Sequence, residues 1–201
     1  MPSPPPLQPG CYYHVYNRGN NGEDLFREER NYEYFLRLYA HHIHPVAETL
    51  AYCLLRNHFH LAIRVRETPS SDAVTTSESE NGRLPPASQA FANMFNAYTK
   101  AINKAFGRTG GLFENPYRRI HIQTDAYFTR VIAYIHRNPQ KHGFVPDFRE
   151  WRWSSYHALL SHQTTRMQRE QVLAWFDGRE RFEAAHLNAQ VDTSLLAQDF
   201  E

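Results

Sequence analysis

The succession of patterns along this chain predicts an α+β fold. It is a ferredoxin-like split β-α-β-β-α-β unit with a four-stranded antiparallel sheet and helices on one face, followed by a further helix and a C-terminal helical extension. Three observations carry that expectation. Runs that alternate with a period of two interleave with runs of helical period in this order. A short Arg56-Asn57 link joins the middle two strands as a hairpin. A hydrophobic content of 41%, with thirteen Phe and twelve Tyr, suffices for one packed core.

Taken in order, "CYYHVYNRG" (Cys11 to Gly19) is aromatic and β-branched, ends in turn residues and reads as the first strand. "RNYEYFLRLYAHHI" spaces Tyr32, Phe35, Leu36, Tyr39 and Ile43 as an amphipathic helix, which Pro45 closes. "VAETLAYCLLRN" and "HFHLAIRV" are the second and third strands. Residues 67–87 are rich in Ser, Thr and Pro and read as a flexible surface loop. Ser88 is placed to cap a long helix, "QAFANMFNAYTKAINKAFG", that Gly107 ends. "GGLFENPYRRIHIQ" leads into the fourth strand. Thr124 or Asp125 caps the helix "AYFTRVIAYIHRN", with Pro139 expected to stop it soon after. "DFREWRWSSYHALL" reads as a packed aromatic extension, and "QREQVLAWFDGRERFEAAHL" as one or two short helices. The expected division is a disordered proline-rich start at 1–10, a main domain at 11–160 and an accessory, partly disordered segment at 161–201.

Composition narrows the function classes. No run approaches the ~18 apolar residues of a membrane span, and "MPSPPPLQPG" lacks the basic and apolar regions of a signal peptide. Cys11 and Cys53 stand in no metal or redox spacing, so a reduced cytoplasmic protein is expected. The net charge of +1 hides an uneven distribution. Between Lys100 and Lys141, eight Lys or Arg face only Glu114 and Asp125, a balance of +6; from Glu170 to Glu201, seven acids face Arg179 and Arg181, a balance of −5. A basic middle of this kind suits either a phosphate backbone or a solvated charged face.

Two local patterns bear chemistry. In the strand "RNHFHLAIRV", alternation turns His58 and His60 to one face and Phe59 to the other. Two imidazoles on one face can share a divalent cation with a third ligand, or they can be surface or capping histidines. His42 and His44 also flank an apolar residue, but at a helix end, where residues two apart diverge by about 200°. In "YIHRNP", Tyr134 and Asn138 are four apart and stack on one helix face. A core tyrosine and an ordinary helix stop would explain each of them separately.

Together, the ordered stretches "YYHVYNRG", "NHFHLAIRV", "GGLFENPYRRIHIQTDAYFTRVIAYIHRNPQKHGFV" and "WRWSSY" resemble the single-tyrosine HUH transposases, in particular the REP-associated tyrosine transposase branch. The resemblance spans residues 11 to 160. It implies that His58 and His60 bind the metal, that Asn138 is the polar third ligand, and that Tyr134 is the nucleophile. Tyr127, one heptad earlier, is the rival nucleophile. The implied activity is cleavage and transfer of single-stranded DNA through a covalent 5′-phosphotyrosine, at sites beside imperfect, REP-like hairpins.

Two imidazoles and an amide oxygen tolerate Mg²⁺ or Mn²⁺, with oxygens supplied by the substrate; zinc is chemically possible, but no cysteine or third histidine is linked to the pair by a motif. Candidate DNA contacts are Asn17, Arg18, Lys100, Lys104, Arg118, Arg119, Arg137 and Lys141, with His136 beside them. Tyr117 or Phe113 is a candidate to stack on an unpaired base. The acidic C-terminal segment is expected to pack over the basic face or to mediate association. The protein is expected to be a monomer or homodimer, nucleoid-associated and without membrane contact. A non-catalytic hairpin-binding regulator and a rolling-circle initiator or relaxase are the competing readings.

Overall fold

The architecture comes from a computed structural model that describes residues 6–68 and 84–188. The expectations for residues 1–5, most of the 67–87 loop and the last thirteen residues lie outside the described residues. The elements run β1 (Tyr12–Arg18), α1 (Glu29–His42), β2 (Ala47–Leu54), β3 (His58–Val65), α2 (Ala87–Phe106), β4 (Arg118–Ile122) and α3 (Asp125–Lys141). Three short helices follow: α4 (Tyr156–Leu160), α5 (Arg169–Trp175) and α6 (Arg179–Asn188). The four strands form one sheet in the order β2-β3-β1-β4, antiparallel throughout. That is the expected split βαβ arrangement.

The sheet divides two cores because side chains alternate across it. On one face, α1 and α2 cover Tyr13, Val15, Phe59, Leu61 and Ile63, an aromatic-rich cluster that includes Phe26, Phe35, Phe95, Tyr98 and Phe113. On the other, α3 and the short C-terminal helices cover Ala51, Cys53 and Ala62 with Phe128, Ile132, Tyr134, Val172 and Phe182. A bulge between Thr49 and Ala51 shifts the register of β2. Leu50 and Ala51 are consequently both buried in the second core.

The free edge of β2 is closed by the chain itself, which keeps it from pairing with other molecules. Leu54 N–H donates to Trp153 O at 2.9 Å, Ser155 N–H to Tyr52 O at 2.9 Å, and Gln168 N–H to Thr49 O at 3.0 Å. This is the structural use of "WRWSSY": Trp151 Nε1 also donates to Leu54 O at 2.9 Å, and Trp153 stacks on Tyr32.

Several local expectations change. Pro6–Gly10, expected to be disordered, are tied to the sheet through Tyr13 Oη to Pro6 O at 3.0 Å and Gly10 N–H to Val65 O at 2.8 Å. Pro86 rather than Ser88 occupies the N-cap of α2, with Gly107 ending it in the left-handed conformation at φ +62°. Thr124 does cap α3, accepting from Tyr127 N–H. Pro139, however, lies inside α3, which runs on to Lys141. A proline so near the end costs one intrahelical bond, and His142 N–H to Asn138 O at 3.0 Å keeps the last turn closed. Of the segment after Ser161, the described part builds Val172, Phe176 and Phe182 into the core behind α3, and the rest of the acidic tail lies outside the described residues. Among the described residues, no helix is long and apolar enough to cross a membrane.

Candidate active site

The antiparallel register assembles the site. Cys53, His60, Tyr16 and Arg118 form one row across all four strands, and Arg18 pairs with His58 in β3. Alternation gives these residues the α3 side of the sheet, while Phe59 enters the opposite core. α3 lies over the row and brings Tyr134 and Asn138 down onto it. The Tyr134 ring meets His60 edge-on with centroids 5.4 Å apart, and Asn138 Oδ1 is 3.1 Å from His58 Nε2. The four side chains that the motifs single out are thus brought together from two elements, His60 and Tyr134 being 74 positions apart and His58 and Asn138 80.

All four are buried: Tyr134 is 1% exposed, His58 6%, and His60 and Asn138 0%. Burial pushes the His58 imidazole down to about 4 and holds His60 well below the ordinary range, with His14 and His58 reinforcing the effect on His60. Both rings are therefore neutral at physiological pH, the form that ligates a metal. A charged contact to phosphate would need the other form.

The donor set fits a divalent cation on a hydrogen-bonding argument. The two nitrogens of His58 face two amide oxygens, Asn57 Oδ1 at 2.7 Å and Asn138 Oδ1 at 3.1 Å. A neutral imidazole has one N–H, so one of those oxygens faces a nitrogen lone pair. The Asn138 Nδ2 amide group meanwhile has no hydrogen-bond partner. A cation beside Nε2 and Oδ1 turns that opposition of lone pairs into shared ligation. Among the described residues, no group of three His, Cys, Asp or Glu side chains could hold a metal; beside the histidine pair the further oxygen donor is the Asn138 amide.

Sequence reasoning missed three neighbours. His14 and Tyr16 lie on β1, where His14 Nε2 is 3.0 Å from His60 Nδ1 and the Tyr16 ring is stacked 5.7 Å from His60. His142 follows α3, its ring 5.0 Å from that of His58. The signal for the first two was present in "YYHVYNR": the period that turns Val15 to one core turns His14 and Tyr16 to the other.

The candidate DNA contacts separate. Lys141 reaches back over the Tyr134 ring, Nζ 5.0 Å from its centroid, and Arg18 and Arg118 share the sheet face of the histidines. Arg18 is held by Glu114. Arg119 lies on the other face, over Tyr117, and Lys100 and Lys104 project into solvent from α2 behind the sheet. Asn17 is 3% exposed, with its amide donating to Glu114 O and accepting from Arg18 N–H, so its role in the structure is to shape the strand end. Arg137 sits close enough to His186 to depress its pKa, on the flank towards α6. His136 is fully buried between His186 and Ser155, out of reach of any phosphate. Phe113 is part of the aromatic core, and Tyr117 packs on Phe91 and Phe95, so neither ring offers a free face to a base. Tyr127 is half-buried at the margin of the second core, two turns before Tyr134 along α3.

No family model matches the chain. A protein of Haemophilus influenzae named as a REP-associated tyrosine transposase is 27% identical over 116 residues, a stretch covering 57% of this chain and 61% of that relative. The chain thus spans less than two thirds of the relative it matches. The solved structure of a REP-associated tyrosine transposase bound to a REP hairpin superposes with a TM-score of 0.57 at 15% identity, over 81% of this chain and 86% of the other. At that identity the superposition speaks for the fold alone. Both similarities are to REP-associated tyrosine transposases.

Proposed function

We propose that the protein is a metal-dependent endonuclease and strand transferase for single-stranded DNA, acting beside imperfect hairpins with Tyr134 as its nucleophile. The observation that carries this reading is the convergence of Tyr134 and Asn138 from α3 onto His58 and His60 from β3. The hairpin in the structural relative supports the choice of substrate.

In this reading His58, His60 and Asn138 hold Mg²⁺ or Mn²⁺. The cation, when bound, polarises the scissile phosphate and offsets charge developing on its oxygens. Lys141 places positive charge against the Tyr134 ring and favours its phenolate. Tyr134 Oη bonds to phosphorus as the bond to the 3′-oxygen breaks. The phenol gives up one proton and the departing 3′-oxygen takes up one, leaving a 3′-hydroxyl and a 5′-phosphotyrosine. Attack by the 3′-hydroxyl of a second end reverses these bond changes and rejoins DNA without ATP. Arg18 and Arg118 hold flanking phosphates on the same sheet face. The burial of Tyr134 keeps water from hydrolysing the covalent link.

Incubation of the full chain with labelled single-stranded hairpin DNA and Mn²⁺ should yield a denaturation-resistant protein–DNA adduct. The adduct should vanish in Tyr134→Phe and in metal-free buffer. An adduct that survives Tyr134→Phe but is lost in Tyr127→Phe would transfer the nucleophile to Tyr127. Hairpin binding without any adduct would instead identify a non-catalytic regulator.

A further inference from the structure

His14 is a fully buried polar residue beside the site that the reaction described above does not use. It lies on β1 in register with Ala62, is fully buried, and brings Nε2 to 3.0 Å from His60 Nδ1, the two rings stacked 25° from parallel. Its ring also stands edge-on to Tyr134, with centroids 6.0 Å apart. Its own Nδ1 is buried and has no hydrogen-bond partner. An apolar ring of the same shape would carry no unpaired Nδ1 of its own, but it would take from His60 Nδ1 the partner it has in His14.

We propose that His14 is a positioning residue: it accepts the Nδ1–H of His60 and so fixes the ring orientation and tautomer in which His60 presents an Nε2 lone pair to the cation. This inference rests on the reading of His60 as a metal ligand.

The argument is one of donor and acceptor bookkeeping. Each neutral imidazole carries one N–H and one lone pair. At 3.0 Å one nitrogen of the pair donates and the other accepts, which allows two arrangements. If His60 donates from Nδ1, its Nε2 is a lone pair and can ligate; His14 then carries its proton on Nδ1. If His14 donates from Nε2, the Nε2 of His60 carries a proton and cannot ligate. Cation binding therefore selects the first arrangement. The other histidine of the pair has a matching partner: Asn57 Oδ1, 2.7 Å from His58 Nδ1, can only accept, so with a cation at Nε2 His58 donates from Nδ1 to Asn57 and turns its Nε2 lone pair towards the cation beside Asn138. Each histidine thus has an acceptor behind it, an amide oxygen for His58 and an imidazole for His60. Outer partners of this kind characteristically orient metal-bound histidines.

The test is calorimetric titration of Mn²⁺ into the full chain without DNA, alongside His14→Phe, His14→Gln, His58→Ala and His60→Ala. His14→Phe should weaken Mn²⁺ binding by about 10- to 100-fold in the folded protein, a loss read separately from any fall in thermal midpoint caused by leaving His60 Nδ1 without its partner. His14→Gln, whose side-chain oxygen can accept the same proton, should recover most of that loss. Ring-nitrogen NMR of the metal-free wild-type chain should find His60 protonated on Nδ1. Wild-type affinity in His14→Phe, or a His60 protonated on Nε2, would overturn the proposal. The NMR result decides alone if His14→Phe fails to fold. If His58→Ala and His60→Ala also bind like the wild type, the metal reading has failed and the role of His14 falls with it.

Discussion

At the scale of single residues, the site depends on which way a few side chains are turned. Phe59 is fully buried in the aromatic core, and its rigid packing there orients the two histidines on either side of it. Lys141 is the one strong candidate for tuning the nucleophile. Lys141→Met keeps the length of the side chain and removes the charge. It is expected to slow adduct formation by about 10- to 100-fold, the effect of losing roughly 1–3 kcal/mol of charge stabilisation, with an unchanged thermal midpoint. An unaltered rate would assign Lys141 to ordinary solvation. Gly19 shows a different constraint. A Cβ there would lie 2.0 Å from the Glu23 backbone oxygen, closer than any contact can be. Gly19→Ala should therefore cost about 1–3 kcal/mol, read as a lower denaturation midpoint, because the turn that carries Arg18 into the site has to open.

At the scale of elements, α3 is decisive, since Tyr134 and Asn138 reach the histidines only if this helix keeps its place. It is gripped from behind by a hydrogen-bonded chain. His136 Nε2 meets Ser155 Oγ at 2.7 Å, Ser155 Oγ accepts from Tyr52 N–H at 2.8 Å, His136 Nδ1 meets His186 Nε2 at 2.8 Å, and His186 Nδ1 meets Phe182 O at 2.7 Å. The chain joins β2, α3 and α6 through groups that have no access to water. His136→Leu would leave His186 Nε2 short of a partner, while Ser155 Oγ keeps its bonds to Tyr52, and is expected to destabilise the fold by about 1–3 kcal/mol. A His136→Leu chain that melts like the wild type would show that α3 is held by apolar packing only. The short helices α5 and α6 thus belong to the support of the site, although their sequence suggested an appendage.

At the scale of the whole molecule, buried histidines couple the fold to pH. Burial lowers His44 to about 4, with Arg166 and Arg66 adding to the effect, and lowers His186 to about 4 against the contrary pull of the Phe182 carbonyl. Their folded values lie below the unfolded value near 6.5, so on acidification the unfolded chain takes up protons that the folded chain refuses. Their contribution to stability is complete above about pH 6.5 and is lost as pH falls towards 4. For the deeply buried His186 the loss is on the order of 3 kcal/mol. Thermal midpoints measured from pH 7.5 to 4.5 should begin to fall near pH 6.5, above the carboxylate range. A flat profile down to pH 5 would mean that these rings are solvated.

The element order, the hairpin at Arg56-Asn57 and the shared face of His58 and His60 were legible in the sequence, because they follow from local periodicity and turn chemistry. So was the pairing of Tyr134 with Asn138 on one helix face. Three matters were decided only by tertiary structure. Which cations stand near the site depends on the side of the sheet: Arg118 and Arg119 are adjacent in the chain yet face opposite cores, and charge content carries no such sign. The run of α3 through Pro139 depends on packing that outweighs the loss of one hydrogen bond. The presence of His14 behind His60 depends on the register of β1 against β3, a contact between residues 46 positions apart. Local sequence determines which face a side chain takes along its own element. What stands opposite that face is determined by strand pairing and core burial, and these are properties of the whole chain.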